Sequence, residues 1–126
     1  MRDRFWEIIS HSAPDARQNG DTEHRLANTL NVSFPGRSSE TLLMALDLEG
    51  VCASSGSACM VGSVVASHVL LAMGLSPAQA NAAVRFSLGK KTTAEEIERA
   101  GCAIECVLER LARVGTKNLR DAHVAV

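Results

Sequence analysis

Cysteine and arginine side chains carry the strongest candidate chemistry in this chain. There are four cysteines, Cys52, Cys59, Cys102 and Cys106. A thiol acts as a nucleophile only where it is accessible and can become a thiolate. Cys59 sits in Ser55-Gly56-Ser57-Ala58-Cys59-Met60-Val61-Gly62-Ser63, a run of mostly small residues with neither helical nor strand period. Such a run reads as a mobile loop with little to bury a thiol against. Spacing alone leaves a reactive and an inert Cys59 equally open. Cys52 falls in a predicted strand and is expected to be a small buried hydrophobe. Cys102 and Cys106 are four apart on a predicted helix and share a face, with Cys106 expected to pack partly into the core. The four thiols do not show the spacing of the common zinc knuckles, so no metal site is expected.

Arg85 is the second candidate. It stands on the polar side of an otherwise apolar strand, where a guanidinium can hold a carboxylate through two parallel hydrogen bonds. On sequence alone, a solvent-facing arginine is the favoured reading. His68 follows the Cys59 loop and is expected to be structural. Lys90 and Lys91 read as a solvated pair, and Gly56, Gly62 and Gly89 form no phosphate-cradling pattern.

These residues need elements to position them. Residues 2 to 12 have Phe5, Ile8 and Ile9 on one helical face. Residues 13 to 28 are polar and turn-rich, with Pro14 and Asn19-Gly20. Thr29 to Phe34 alternates, Leu30, Val32 and Phe34 against Thr29, Asn31 and Ser33, which predicts a half-buried strand. Ser38 or Ser39 caps a helix carrying Leu42, Leu43, Ala45 and Leu46 that stops near Gly50. Val51 to Ser54 is a predicted second strand. Ser67 reads as the N-cap of a short helix carrying Val69, Leu70, Leu71 and Met73 and closed by Gly74, and Ser76-Pro77-Ala78-Gln79 opens another. Val84 to Leu88 alternates as a third strand, with Arg85 and Ser87 outward. Thr93 and Glu96 box the start of a last helix striped with Ile97, Ala100, Ile104, Val107, Leu108 and Leu111. The fold class is therefore α/β (α+β): a small mixed or antiparallel sheet of about three strands covered by helices on one face. Residues 1–115 form the expected domain, and 116–126 a flexible tail.

Composition sets the frame. The chain has 126 residues, 46% of them apolar and 21% charged, as in a globular domain. Thirteen basic against 14 acidic residues leave a net charge of −1, with no basic patch to meet nucleic acid. No apolar run is long enough to span a membrane, and the charged N-terminus is unlike a signal peptide. A cytoplasmic protein with reduced thiols is expected.

Several ordered blocks carry a resemblance. Ser54-Ser55-Gly56-Ser57-Ala58-Cys59 resembles the active-site loop of NifS/IscS-like cysteine desulfurases. Upstream, Arg25 to Phe34 and Leu42 to Asp47 are similar to family blocks; downstream, so are Ser67 to Leu75, Val84 to Gly89 and Thr92 to Ile97. The resemblance spans roughly residues 2 to 112.

It implies the small C-terminal domain of a class V aminotransferase fold. The family converts L-cysteine to L-alanine with the aid of pyridoxal 5'-phosphate and leaves a persulfide on the loop cysteine. By position, Cys59 is implied as the catalytic nucleophile and Arg85 as the residue that binds the substrate carboxylate. A swinging loop could take sulfur from one site and carry it to an acceptor. The family's cofactor lysine lies in a Ser-x-His-Lys context in a large domain. Lys90, Lys91 and Lys117, the three lysines here, lack that context, so the cofactor pocket is expected to be absent from this chain. Val65-Ala66 replaces the family's usual Glu-Pro, and Cys52 a small apolar residue. The chain is thus expected to be a fragment, a truncated gene product or half of a split enzyme, inactive alone. A stand-alone persulfide carrier and a non-catalytic remnant are the rival expectations. Implied partners are a separate large domain, an iron–sulfur scaffold or other sulfur acceptor, and a second copy in a homodimer; selenocysteine is an alternative substrate. Without its large domain, the chain is expected to expose an apolar patch and to self-associate.

Overall fold

The computed structural model describes residues 1–56 and 66–124, with side chains through Lys117. The first helix, α1, spans Arg2–Ser12 and buries Phe5 and Ile9, one helical turn apart on the same face. Trp6 and Ile8 pack partly against the same core. The chain then forms β1, Arg17–Gln18, inside the stretch expected to be irregular. Next come β2 (Thr29–Ser33), α2 (Ser39–Leu48), α3 (His68–Ala72), α4 (Pro77–Asn81), β3 (Ala83–Ser87) and α5 (Ala94–Val124).

The described strands make one antiparallel sheet in the order β1-β2-β3. In the central pairing Leu30 lies across from Phe86, Asn31 from Arg85, and Val32 from Val84. Period-two alternation sends Leu30, Val32, Val84 and Phe86 to one face, all buried. There α1, α2 and α5 close the core with Leu42, Leu46, Ile97, Ile104, Val107 and Leu108. Phe5 meets Phe86 edge to face, with ring centroids 5.1 Å apart. The fold is the α/β sheet-and-helix architecture that the alternation predicts.

Caps fix the helix starts. The Ser38 hydroxyl accepts from Thr41 N at the head of α2. At α4, Ser76 and Gln79 bond reciprocally, each side chain to the other's backbone N–H. Thr93 and Glu96 do the same before α5. Gly50 and Gly74 take φ of 79° and 93° just beyond α2 and α3, a left-handed turn that an L side chain resists.

Three expectations need correcting. Val51 to Ser54 is no strand: only Ser54 bridges to the sheet, through Arg85. The third strand is β1 instead. Cys52, freed from a strand, is exposed rather than buried, and Cys106 is exposed rather than packed into the core. In addition, α5 continues past Gly115 to Val124. No described helix is long and apolar enough to cross a membrane.

Candidate functional site

The sheet face opposite the main core is polar. Thr29, Asn31 and Ser33 of β2 alternate onto it, and their register partners on β3 are Ser87, Arg85 and Ala83. Arg17 joins them opposite Ser33 on β1. No acidic residue and no lysine stands among these strand positions.

Arg85 is half-buried at the centre of this surface. Its backbone is pinned from the side away from β2: Arg85 N donates to Ser54 O at 2.6 Å, and Ser54 N donates to Arg85 O at 3.0 Å. Its Nε is buried and has no hydrogen-bond partner among the described residues. A buried guanidinium N–H left without an acceptor is costly, and an anionic group would satisfy it with a charge-assisted bond. The structure thus departs from the solvent-facing arginine that sequence alone favours.

Beside it runs a side-chain network. Asn19 Nδ2 donates to Asn31 Oδ1 at 2.7 Å and to Ser33 Oγ at 2.8 Å. Ser33 Oγ in turn donates to the Gln79 carbonyl at 2.9 Å, which ties α4 to the sheet. Asn19 is reached because its own N–H bonds Asn31 O at 2.9 Å, continuing the β1 edge by one residue. Neither Asn19 nor Asn31 was singled out by type. The signal available was the alternation of β2, which put Asn31 on the polar face.

Cys59 lies outside the described residues. The chain leading to it is described as far as Gly56, whose N–H bonds the Ser54 hydroxyl at 3.1 Å. The segment that leads towards Cys59 is therefore rooted on the backbone of Arg85.

The remaining candidates stand elsewhere. Cys52 lines a cleft with Glu49, Thr92, Glu96 and Arg99. Cys102 and Cys106 lie on the outer side of α5, where Arg110 reaches Cys106 Sγ at 3.7 Å and pairs with Glu49. The Glu49 carboxylate, with the Cys106 sulfur as a second partner, raises the pKa of the Arg110 guanidinium above its ordinary value. His68, the first residue of α3, is exposed, as are Lys90, Lys91 and Lys117. Among the described residues, no three His, Cys, Asp or Glu side chains gather as a metal site.

Comparison with known proteins places these features in context. The aminotransferase class-V profile matches residues 5–100. A cysteine desulfurase from Trichormus azollae is 42% identical over 111 residues, covering 88% of this chain and 28% of its own length. The cysteine desulfurase IscS of Shewanella sp. (strain ANA-3) is 44% identical over 114 residues, covering 90% of this chain and 27% of its own. Among solved structures, a NifS-like protein superposes with a TM-score of 0.72 at 31% identity, over 86% of this chain and 26% of that one. The chain thus spans little more than a quarter of the length of these relatives.

Proposed function

The chain belongs to the class-V aminotransferase family, and from that membership we propose that it serves as the small, C-terminal domain of a cysteine desulfurase. In this reading Arg85 binds the carboxylate of L-cysteine, and the Cys59 thiol receives its sulfur. The balance is simple: L-cysteine and the thiol become L-alanine and a Cys59 persulfide. The observation that carries the reading is the Nε of Arg85, unpartnered among the described residues, on strands without carboxylates, at the strand residue bridged to Ser54. Five residues of fully extended chain span at most about 18 Å, and that is the number from Ser54 to Cys59. Chain length thus permits Cys59 to reach a substrate held at Arg85. Fixing the substrate against a tethered nucleophile is catalysis by positioning.

Pyridoxal 5'-phosphate is the group that the family brings to this reaction. In this reading the described residues do not hold it. The polar sheet face has no lysine, and Lys90, Lys91 and Lys117 are exposed on a turn and on α5. We assign the cofactor to a separate large domain, and with it the turnover. The acceptor of the persulfide, whether an iron–sulfur scaffold or another protein, and a dimeric assembly belong to the same proposal.

A chimera tests it. The corresponding segment of the Shewanella enzyme is replaced by this chain, and alanine release and the mass of the loop peptide are followed. The expected result is alanine formation with one extra sulfur atom on Cys59. Cys59→Ala removes both, and Arg85→Ala raises KM for cysteine by about tenfold or more, the size of a lost charge-assisted pair. An active chimera in which both variants behave as wild type would overturn the assignment.

A further inference from the structure

Asn31 stands directly across from Arg85, and the hydrogen bonds around it determine which end of its amide it presents. The backbone carbonyl of Gln79 can only accept. Ser33 Oγ lies 2.9 Å from it, so the single hydroxyl proton of Ser33 is spent there. Asn19 approaches the same oxygen at 2.8 Å, and since Ser33 has no proton left, Asn19 must donate; that end of its amide is Nδ2. The second hydrogen of Nδ2 is directed at Asn31 at 2.7 Å, so the atom receiving it is Oδ1. Asn31 is left presenting its own Nδ2, with both hydrogens uncommitted among the described residues.

The backbone places that amide close to Arg85. Arg85 spends its N–H and C=O on Ser54, and Asn31 O accepts from Asn19, so neither turns those groups towards the other. They form a non-hydrogen-bonded antiparallel pair, the arrangement in which facing side chains come nearest. A donor-only guanidinium and an amide nitrogen thus belong to directly facing residues on strands that carry no carboxylate. Two adjacent donors match the two oxygens of one carboxylate.

Building on the reading that Arg85 holds the substrate's carboxylate, we propose that Asn31 is a second donor to that same carboxylate, and that Asn19 is the positioning residue that keeps the Asn31 amide turned towards it. Asn19 acts through Asn31 and touches no substrate.

The test uses the full chain, labelled with 15N, and two probes: L-alanine, which carries the carboxylate, and L-alaninamide, which does not. The Arg85 Nε–H and the Asn31 side-chain amide are expected to shift with L-alanine along one binding curve and to ignore alaninamide. Asn31→Asp, which sets a carboxylate against the ligand's own, is expected to weaken alanine binding by about tenfold or more, the range of one hydrogen bond to a charged group. Asn19→Ala, which frees the amide to flip, weakens it by less and narrows the preference for alanine over alaninamide. Asn31→Ser, too short to reach, gives the same answer as Asn31→Asp if the latter does not fold. Should Arg85 respond while Asn31 stays silent, or Asn31→Asp and Asn31→Ser bind as wild type, the Asn31 assignment is wrong and the Arg85 reading stands. If Arg85→Lys binds alanine as tightly as wild type, the reading beneath it fails instead. Absence of any shift up to the solubility limit of alanine counts against both.

Discussion

Gly101 has no side chain because Ile8 occupies the space one would fill: a Cβ there would lie 2.3 Å from Ile8 Cγ2. That methyl hangs on a β-branched carbon and has little freedom to turn away. Alanine is the better helix former by about 1 kcal/mol, but overpacking a tight contact costs about 1–3 kcal/mol. At so short an approach the cost lies at the upper end of that range, and Gly101→Ala is expected to lower stability by up to about 2 kcal/mol net. Gly115, on the same helix with nothing within 4 Å of its would-be Cβ, isolates the propensity effect. Gly115→Ala is expected to gain about 0.5–1 kcal/mol. Urea midpoints of the two variants should move in opposite directions, and Ile8→Ala with Gly101→Ala should cost less than their sum. Sequence held half of this residue-scale information. Arg85 stood out as a charge interrupting an alternating strand, but that pattern alone favoured a solvent-facing side chain, and its half-buried place and its Nε, unpartnered among the described residues, emerge only in the fold. Asn31 stood in an equally clear alternation, but its role depends on Asn19, which reaches it only through β1. Cys52 was misplaced because Val51 and Ala53 looked like strand residues, whereas the segment meets the sheet at Ser54 alone.

At the scale of elements, helices were read closely and strands less so, for a physical reason. A helix announces itself locally, through caps and a 3.6-residue stripe, and both capping boxes stand where the sequence places them. A strand needs a partner that may lie anywhere along the chain, so two residues such as Arg17 and Gln18 leave no signal until their neighbours are known. The Thr93–Glu96 box gives a direct check on the local reading. Thr93 Oγ1 accepts from Glu96 N at 3.2 Å, and Glu96 Oε2 accepts from Thr93 N at 2.8 Å. Removing the hydroxyl strands the first of these donors. Thr93→Ala is expected to cost about 0.5–2 kcal/mol. Glu96→Gln keeps an acceptor in place and loses only its charge near the helix start, worth about 0.3–1 kcal/mol. Chemical denaturation should rank the two in that order. Equal losses would mean that charge rather than capping anchors α5.

Among the described residues, the molecule has two cores of unequal size. Fifteen buried residues join α1, α2, α5 and the inner face of the sheet, whereas Leu70, Ala80 and Ala83, with Ala66 and Leu75 packed against them, form the second, under α3 and α4. Burial stabilises in proportion to apolar area, so the smaller cluster should open first and without the rest. The two short helices differ from each other as well. The α4 end is tied to the sheet by Ser33 Oγ to Gln79 O and by Phe34 N to Ala82 O, each 2.9 Å. On α3, Ser67 makes no side-chain cap bond, and Val69 and Leu71 remain exposed. Native-state hydrogen exchange in low urea should therefore resolve three tiers: α3 amides exchange most readily, those of α4 next, and those of β2, β3 and α1 only with global unfolding. A single free energy for all of them would show that the molecule opens as one unit. The middle tier matters for the site. Gln79, on α4, is where the proton chain to Asn31 begins, so each opening of α4 releases the Asn31 amide while Arg85, held in the sheet, stays in place.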